Sequence, residues 1–286
     1  MSDALESLLG LLDLEPLEHN IYRGHNRDIG SSRVFGGQVL AQALIAARRT
    51  VDEPRDAHSL HGYFILPGDV ATPIVYFVDR LRDGKSFTTR RVTGIQNGQA
   101  IFSMTCSFQV AEEGVEHQVP MPQAPAPDDL PRELDLIRGM ADRIPERLRA
   151  VLTQDRPIDF RPVNPVDPFD PDKRAPAQMM WFRALGTMPD DLLQHQAVLA
   201  YASDYGLLAT ALLPHGLTIR SPQLQVASLD HSIWFHRPFR VDEWLLYVMD
   251  STTSAGARGF ANGSLYTRDG TLVASVAQEG LMRIRK

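Results

Sequence analysis

The residues with chemistry to offer are those whose type conflicts with the pattern around them. Asp204 interrupts HQAVLAYASDYGLLATALL, where Ala197, Ala200, Tyr201, Leu207, Leu208 and Ala211 recur at helical spacing. Aspartate disfavours a helix interior, and on an apolar face its desolvation calls for a hydrogen-bonding reason. Gln278, in TLVASVAQEG, shares a strand face with Ala274 and Val276, so a group that both donates and accepts stands among apolar neighbours. Ser228 opens SLDHSIWFHRPF, followed by Asp230 and His231, and histidine titrates near neutrality, which makes His231 a candidate general base. Each residue also has a plainer reading. Asp204 can lie on a rim that reaches solvent, Gln278 can satisfy a neighbouring carbonyl, and Ser228 can begin a strand or close a turn. Together they suggest one helix facing two strands, with a carboxylate, a hydroxyl and an amide converging on a single water.

Other chemistries have less support. Neither Ser228 nor Cys106 sits in a G-x-S-x-G elbow, and the lone pair Gly36-Gly37 is too weak to indicate a phosphate-binding loop. Cys106 is the one cysteine, so no internal disulfide forms, and no Cys/His set has zinc-ligand spacing. No metal or cofactor is therefore expected, and a reducing cytoplasm suits the chain. A net charge of −6 argues against nucleic-acid binding through global charge. The acidic, apolar start MSDALESLLGLLDLEPLEHN lacks the features of a signal peptide and reads as a short amphipathic helix. No uninterrupted apolar run reaches the ~18 residues of a membrane span, and the final RIRK is not a peroxisomal address.

The elements that must position these residues form a weak internal repeat. GGQVLAQALIAARRT over 36–50 has Val39, Leu40, Ala43, Leu44 and Ala47 on one helical face. Strand-like runs follow, HSLHGYFIL, ATPIVYFVDRLRD, SFTTRRVTGIQNG and QAIFSMTCSFQV, separated by the turn signals Pro67-Gly68, Asp83-Gly84 and Asn97-Gly98. The second half repeats the order: the helical run around Asp204, then SLDHSIWFHRPF, EWLLYVMDSTTS, RGFANGSLYTRDG and TLVASVAQEGLMRI. IYRG near residue 21 is echoed by WFRA near 181. One helix followed by an antiparallel sheet, twice, is an α+β arrangement and not a βαβ alternation. The expected organisation is 1–111, a proline-rich connector over 112–177, and 178–286 carrying the candidate residues. The connector holds a short helix over 131–152, and its prolines between Pro162 and Pro171 recur at polyproline II spacing. A plain tether and a segment that packs over sheet edges both remain open.

At RVFGGQVLAQAL, HSLHGYF, LAYASDYGLLATALLPHG, LDHSIWFHRPF, ARGFANGSLYTRDG and LVASVAQEGLMR the chain resembles the type II acyl-CoA thioesterases over nearly its whole length. The resemblance implies a double hotdog, two sheets each wrapped on one long helix and paired edge to edge. It implies hydrolysis of fatty acyl-CoA to free fatty acid and CoA, with the family's Asp, Thr or Ser, and Gln falling on Asp204, Ser228 and Gln278. Cys106 stands at the repeat position of Gln278, so the first half is expected to lack a site. With acyl-CoA as substrate, Arg90, Arg91, Arg237, Arg240 and Arg258 are candidate phosphate contacts, and Phe35, Tyr201, Leu208 and Trp234 candidate walls of the acyl tunnel. Exposed sheet edges favour a homo-oligomer, a dimer or tetramer. A hotdog enoyl-CoA hydratase, which would need an Asp/His pair in one site, and a non-catalytic acyl-CoA-binding module are the alternatives.

Overall fold

The computed structural model describes residues 2–31, 33–52 and 54–285. In the first half, α1 (Asp3–Leu12) and the short strands β1 (Glu15–Glu18) and β2 (Ile21–Gly24) lead to α2 (Gly36–Arg48). Strands β3 (Asp56–Phe64), β4 (Ile74–Asp83), β5 (Phe87–Gln96) and β6 (Gln99–Gln109) follow. The connector contains α3 (Glu133–Gly139), α4 (Glu146–Thr153) and β7 (Ile158–Pro162). The second half runs β8 (Ala177–Ala184), α5 (Leu192–Ser203), α6 (Leu207–Thr210), β9 (Leu224–Ser228), β10 (Asp230–Phe235), β11 (Leu245–Ala255), β12 (Arg258–Thr267) and β13 (Leu272–Ile284).

All strands join one antiparallel sheet in the order β1-β2-β4-β5-β6-β3-β10-β13-β12-β11-β8-β7, with β9 also on β13. The repeat is visible in that order, because β2, β4, β5, β6 and β3 mirror β8, β11, β12, β13 and β10. The halves meet edge to edge at β3 and β10, where His61 pairs with Ser232 and His61 Nδ1 lies 3.1 Å from Ser232 Oγ. The turns carry the expected chemistry. Asn97 and Gly98 both take positive φ, 50° and 74°, as a two-residue hairpin turn requires.

The two long helices α2 and α5 pack on one another and on the sheet. This explains why α2 is buried on every side from Gly37 to Ala47, not on the single stripe that periodicity suggests. Gln42 fits that setting because its amide is consumed: it donates to Leu11 O and His25 O, and accepts from the Tyr76 hydroxyl. The helices approach closely at Gly37, where an added Cβ would meet the Tyr201 backbone oxygen. α1 covers the assembly with Leu5, Leu8 and Leu12.

Two expectations need correction. The helical run around Asp204 is not continuous: α5 ends at Ser203, Asp204 is its C-cap, and Gly206 at φ +79° turns the chain before α6. An aspartate followed closely by glycine favours that break. Leu192–His215 is apolar enough by composition to cross a bilayer, but the break and its burial mark a core segment. The connector, for its part, is not a plain tether. Its helical stretch is two helices separated around Pro145, β7 forms the sheet edge beside β8, and the proline run turns at 168–169. Further contacts fix it to the second half, with Trp181 Nε1 donating to Pro125 O and Gln118 bridging Gly270 O and Leu272 N.

Because backbone blocks any Cβ at residue 37, Gly37→Ala is expected to cost about 1–3 kcal/mol, the usual range for overpacking. Urea unfolding checks this; an unchanged midpoint would contradict the close approach.

Candidate active site

The break after α5 gives Asp204 its position. Its carboxylate is nearly sealed from solvent, with 6% of the side chain exposed. Oδ2 accepts from the Gly37 N–H at 2.9 Å, and Oδ1 accepts from Gln278 Nε2 at 2.7 Å. Phe35, the N-cap of α2, offers no capping side chain. Asp204 therefore caps α2 from the other half of the molecule, meeting the second N–H of the helix at its positive end. Gly36 allows the approach, since a Cβ there would lie 2.7 Å from Asp204 Oδ2.

Gln278 projects from β13 into the same space, fully buried. Its Nε2 also donates to Ser228 Oγ at 3.0 Å, so both amide protons are used and the Oε1 is left without a partner. Ser228 ends β9, a strand that was not expected from sequence. β9 and β10 both pair with β13 and are separated by Leu229, whose N–H donates to Glu279 O. Asp204, Gln278 and Ser228 thus form one hydrogen-bonded chain, although they come from different elements.

Burial dominates the electrostatics. Desolvation pushes the Asp204 carboxyl up to about 6, against the lowering effect of the Gln278 and Gly37 donors. Desolvation likewise pushes His231 down to about 3, so the ring is neutral. His231 Nδ1 lies 3.9 Å from Asp204 Oδ1. Asp230 points elsewhere and accepts from the Glu279 N–H at 2.7 Å.

A cavity of about 750 Å³ opens beside Asp204 and Ser228. Phe35 and Leu208 line it as expected; Tyr201 and Trp234 do not. Tyr201 packs behind Phe35 at 5.1 Å between rings, and Trp234 lies 38% exposed against His61. One wall comes from the connector, including Leu136, Ile137, Met140, Ile144 and Leu152. None of the five candidate arginines reaches it. Arg90 is buried on Thr50 and Asp83, and Arg91, Arg237, Arg240 and Arg258 pair with Asp79, Glu116, Asp190 and Asp242, and Glu279 respectively. The arginines on the cavity wall are Arg33, Arg156 and Arg220, of which Arg156 pairs with Glu133 at 2.6 Å. No group of three or more metal-ligating side chains occurs among the described residues.

The raised carboxyl carries a pH signature. Its value in the fold exceeds the ordinary 3.8, so the group favours folding below pH ~4, and this contribution is lost as pH rises through about 6. Above pH 6 the ionised carboxylate depends on its donors. Gln278→Leu is expected to cost about 1.5–3 kcal/mol at pH 8, the value of a hydrogen bond to a charged group, and much less at pH 5. Denaturant unfolding at both values is the measurement, and a pH-independent cost would refute it.

The acyl-CoA thioesterase family model matches residues 148–281, and that of the acyl-CoA thioesterase N-terminal domain matches 24–109. Acyl-CoA thioesterase 2 of Haemophilus influenzae is 42% identical over 99% of this chain and 99% of its own. The crystal structure of an acyl-CoA thioesterase II from Mycobacterium marinum is 44% identical, covers 98% of this chain and 99% of its own, and superposes with a TM-score of 0.80. A hot dog fold protein from Alicyclobacillus acidocaldarius, 20% identical and covering 98% of this chain and 99% of its own, superposes at 0.79 and shows the fold alone. Two hotdog halves fused through β3 and β10, together with these similarities, establish that the chain belongs to the type II acyl-CoA thioesterase family and is an acyl-CoA thioester hydrolase.

Proposed function

We propose that the substrate is a fatty acyl-CoA and that Asp204 is the general base that activates the attacking water. The single observation that carries this reading is the Asp204–Gln278–Ser228 chain at the wall of an apolar cavity. Ser228 accepts from Gln278, which leaves its own hydroxyl proton free to hold a water within reach of the Asp204 carboxylate. The water's O–H bond breaks as its proton passes to Asp204, and its oxygen bonds to the thioester carbonyl carbon. On collapse the C–S bond breaks, and the proton passes from Asp204 to the departing CoA sulfur. Gln278 acts one step back, by orienting Asp204 and Ser228. Gly36, on the cavity wall at the positive end of α2, offers a backbone N–H for the oxyanion.

The connector wall suits an acyl chain, and Arg33 and Arg220 suit the CoA phosphates, Arg156 being paired with Glu133. His231 lies near Asp204, yet it does not line the cavity, which disfavours the Asp/His chemistry of a hydratase.

Asp204→Asn is expected to reduce thiol release from acyl-CoA by about 10²–10⁴-fold with little change in KM. In the native enzyme kcat/KM should rise through about pH 6 as Asp204 ionises. Near-normal turnover by the variant would sink the assignment, and a trapped acyl-enzyme would indicate attack by the carboxylate itself. Ile137→Trp, which fills the connector wall, is expected to lower kcat/KM for long acyl chains by about tenfold while sparing short ones. A chain-length series measures this, and a uniform loss would argue against the placement of the acyl group.

A further inference from the structure

His231 has no task in this scheme, although it is fully buried on β10 beside the proposed base. Its Nε2 lies 2.9 Å from Ser203 Oγ. Its Nδ1 has no hydrogen-bond partner and lies 3.9 Å from Asp204 Oδ1. A neutral ring carries one N–H, so two arrangements exist. In the first, the Ser203 hydroxyl donates to Ala200 O, 3.0 Å away, and the ring proton sits on Nε2. A lone pair on Nδ1 then faces the carboxylate. In the second, the Ser203 hydroxyl turns to donate to Nε2, and the ring proton sits on Nδ1 facing Asp204.

The carboxylate decides between them. A lone pair facing an ionised oxygen is repulsive, whereas an N–H is attractive, and burial strengthens both effects. We propose that His231 is a positioning residue in its Nδ1–H tautomer, with that N–H directed at Asp204 Oδ1 and the Ser203 hydroxyl donating to Nε2. The other groups facing Asp204 do not compete for this role. Gln278 and the Gly37 N–H already donate to it, and the Tyr201 and Tyr247 phenols are held neutral by burial, Tyr247 donating to Ser203 O. Asp230 is engaged with the Glu279 N–H. A donor at Nδ1 favours the ionised carboxylate and so opposes the rise that burial imposes.

The inference rests on Asp204 being the base, but its first test does not depend on activity. In the full-length protein labelled with ¹⁵N-histidine, correlation spectra at pH 8 should show His231 protonated at Nδ1 and unprotonated at Nε2, with the signal assigned through His231→Asn. Protonation at Nε2 would overturn the proposal and leave the role of Asp204 standing. Kinetics give the second test. His231→Leu, which removes the N–H, should move the acid limb of kcat/KM upward by about half to one pH unit with KM unchanged. His231→Asn, with an amide N–H near the former Nδ1, should stay close to the native profile. An unmoved limb in His231→Leu, or equal shifts in the Leu and Asn variants, would also overturn it.

Discussion

The contact on which the site depends is the one between Asp204 and the N-terminus of α2. It requires two helices from different halves to meet where one ends and the other begins. It also requires a glycine pair so that carboxylate and backbone can touch. A single hotdog half has one long central helix and cannot make this contact within itself. The first half therefore contributes to the second half's candidate site even though its own strands supply none of Asp204, Ser228 or Gln278. Fusion through β3 and β10 fixes the helices against each other with the same ladder that closes the sheet. Displacing α2 would leave the Asp204 carboxylate buried with one donor fewer, a costly state that the close packing prevents.

The corresponding region of the first half is filled differently. Cys106 takes the place of Gln278, and its thiol is pushed far up by burial, so it carries no charge to interact with. Arg90, paired with Cys106 across the ladder as Ala261 is with Gln278, is buried and bound to Thr50 just after α2, and to Asp83. The charge there is cationic and fully engaged. In the second half the charge is anionic, and is held by donors that leave one face open to a cavity. The same fold thus supports a buried, paired arginine on one side and a buried carboxylate beside a cavity on the other.

Much of this was legible in the sequence, for identifiable reasons. The helix-then-strands repeat, the hairpin turns and the amphipathic α1 follow from local periodicity and turn chemistry. The oddity of Asp204 and Gln278 followed from polar residues on apolar faces. What was not legible depends on partners distant in the chain. The break after Ser203 looks like a continuing helix because apolar residues resume at the same spacing beyond Gly206. β9 and β7 become strands only because β13 and β8 offer an edge. Arg90 reads as a surface cation until Thr50 and Asp83 surround it, and Gly36-Gly37 reads as an isolated pair until Asp204 and Tyr201 approach. In each case the missing signal would have been a second residue far away, which no local pattern supplies.

The raised carboxyl bears on the proposed chemistry through both of its proton transfers. An exposed aspartate near 3.8 is a weak base toward water, and burial to about 6 strengthens it while leaving it ionised near neutrality. The same proton must later reach a thiolate, whose conjugate acid lies near ~8.5 for an ordinary thiol. Transfer from a carboxyl near 6 to such a sulfur runs downhill, so one group can take the proton from water and return it to the leaving group. Raising the carboxyl further would strengthen the base, but it would also leave less of it ionised at neutral pH and reduce the drive of the second transfer. The donors from Gln278 and Gly37 hold the value between these limits, because each opposes the desolvation that burial alone would impose.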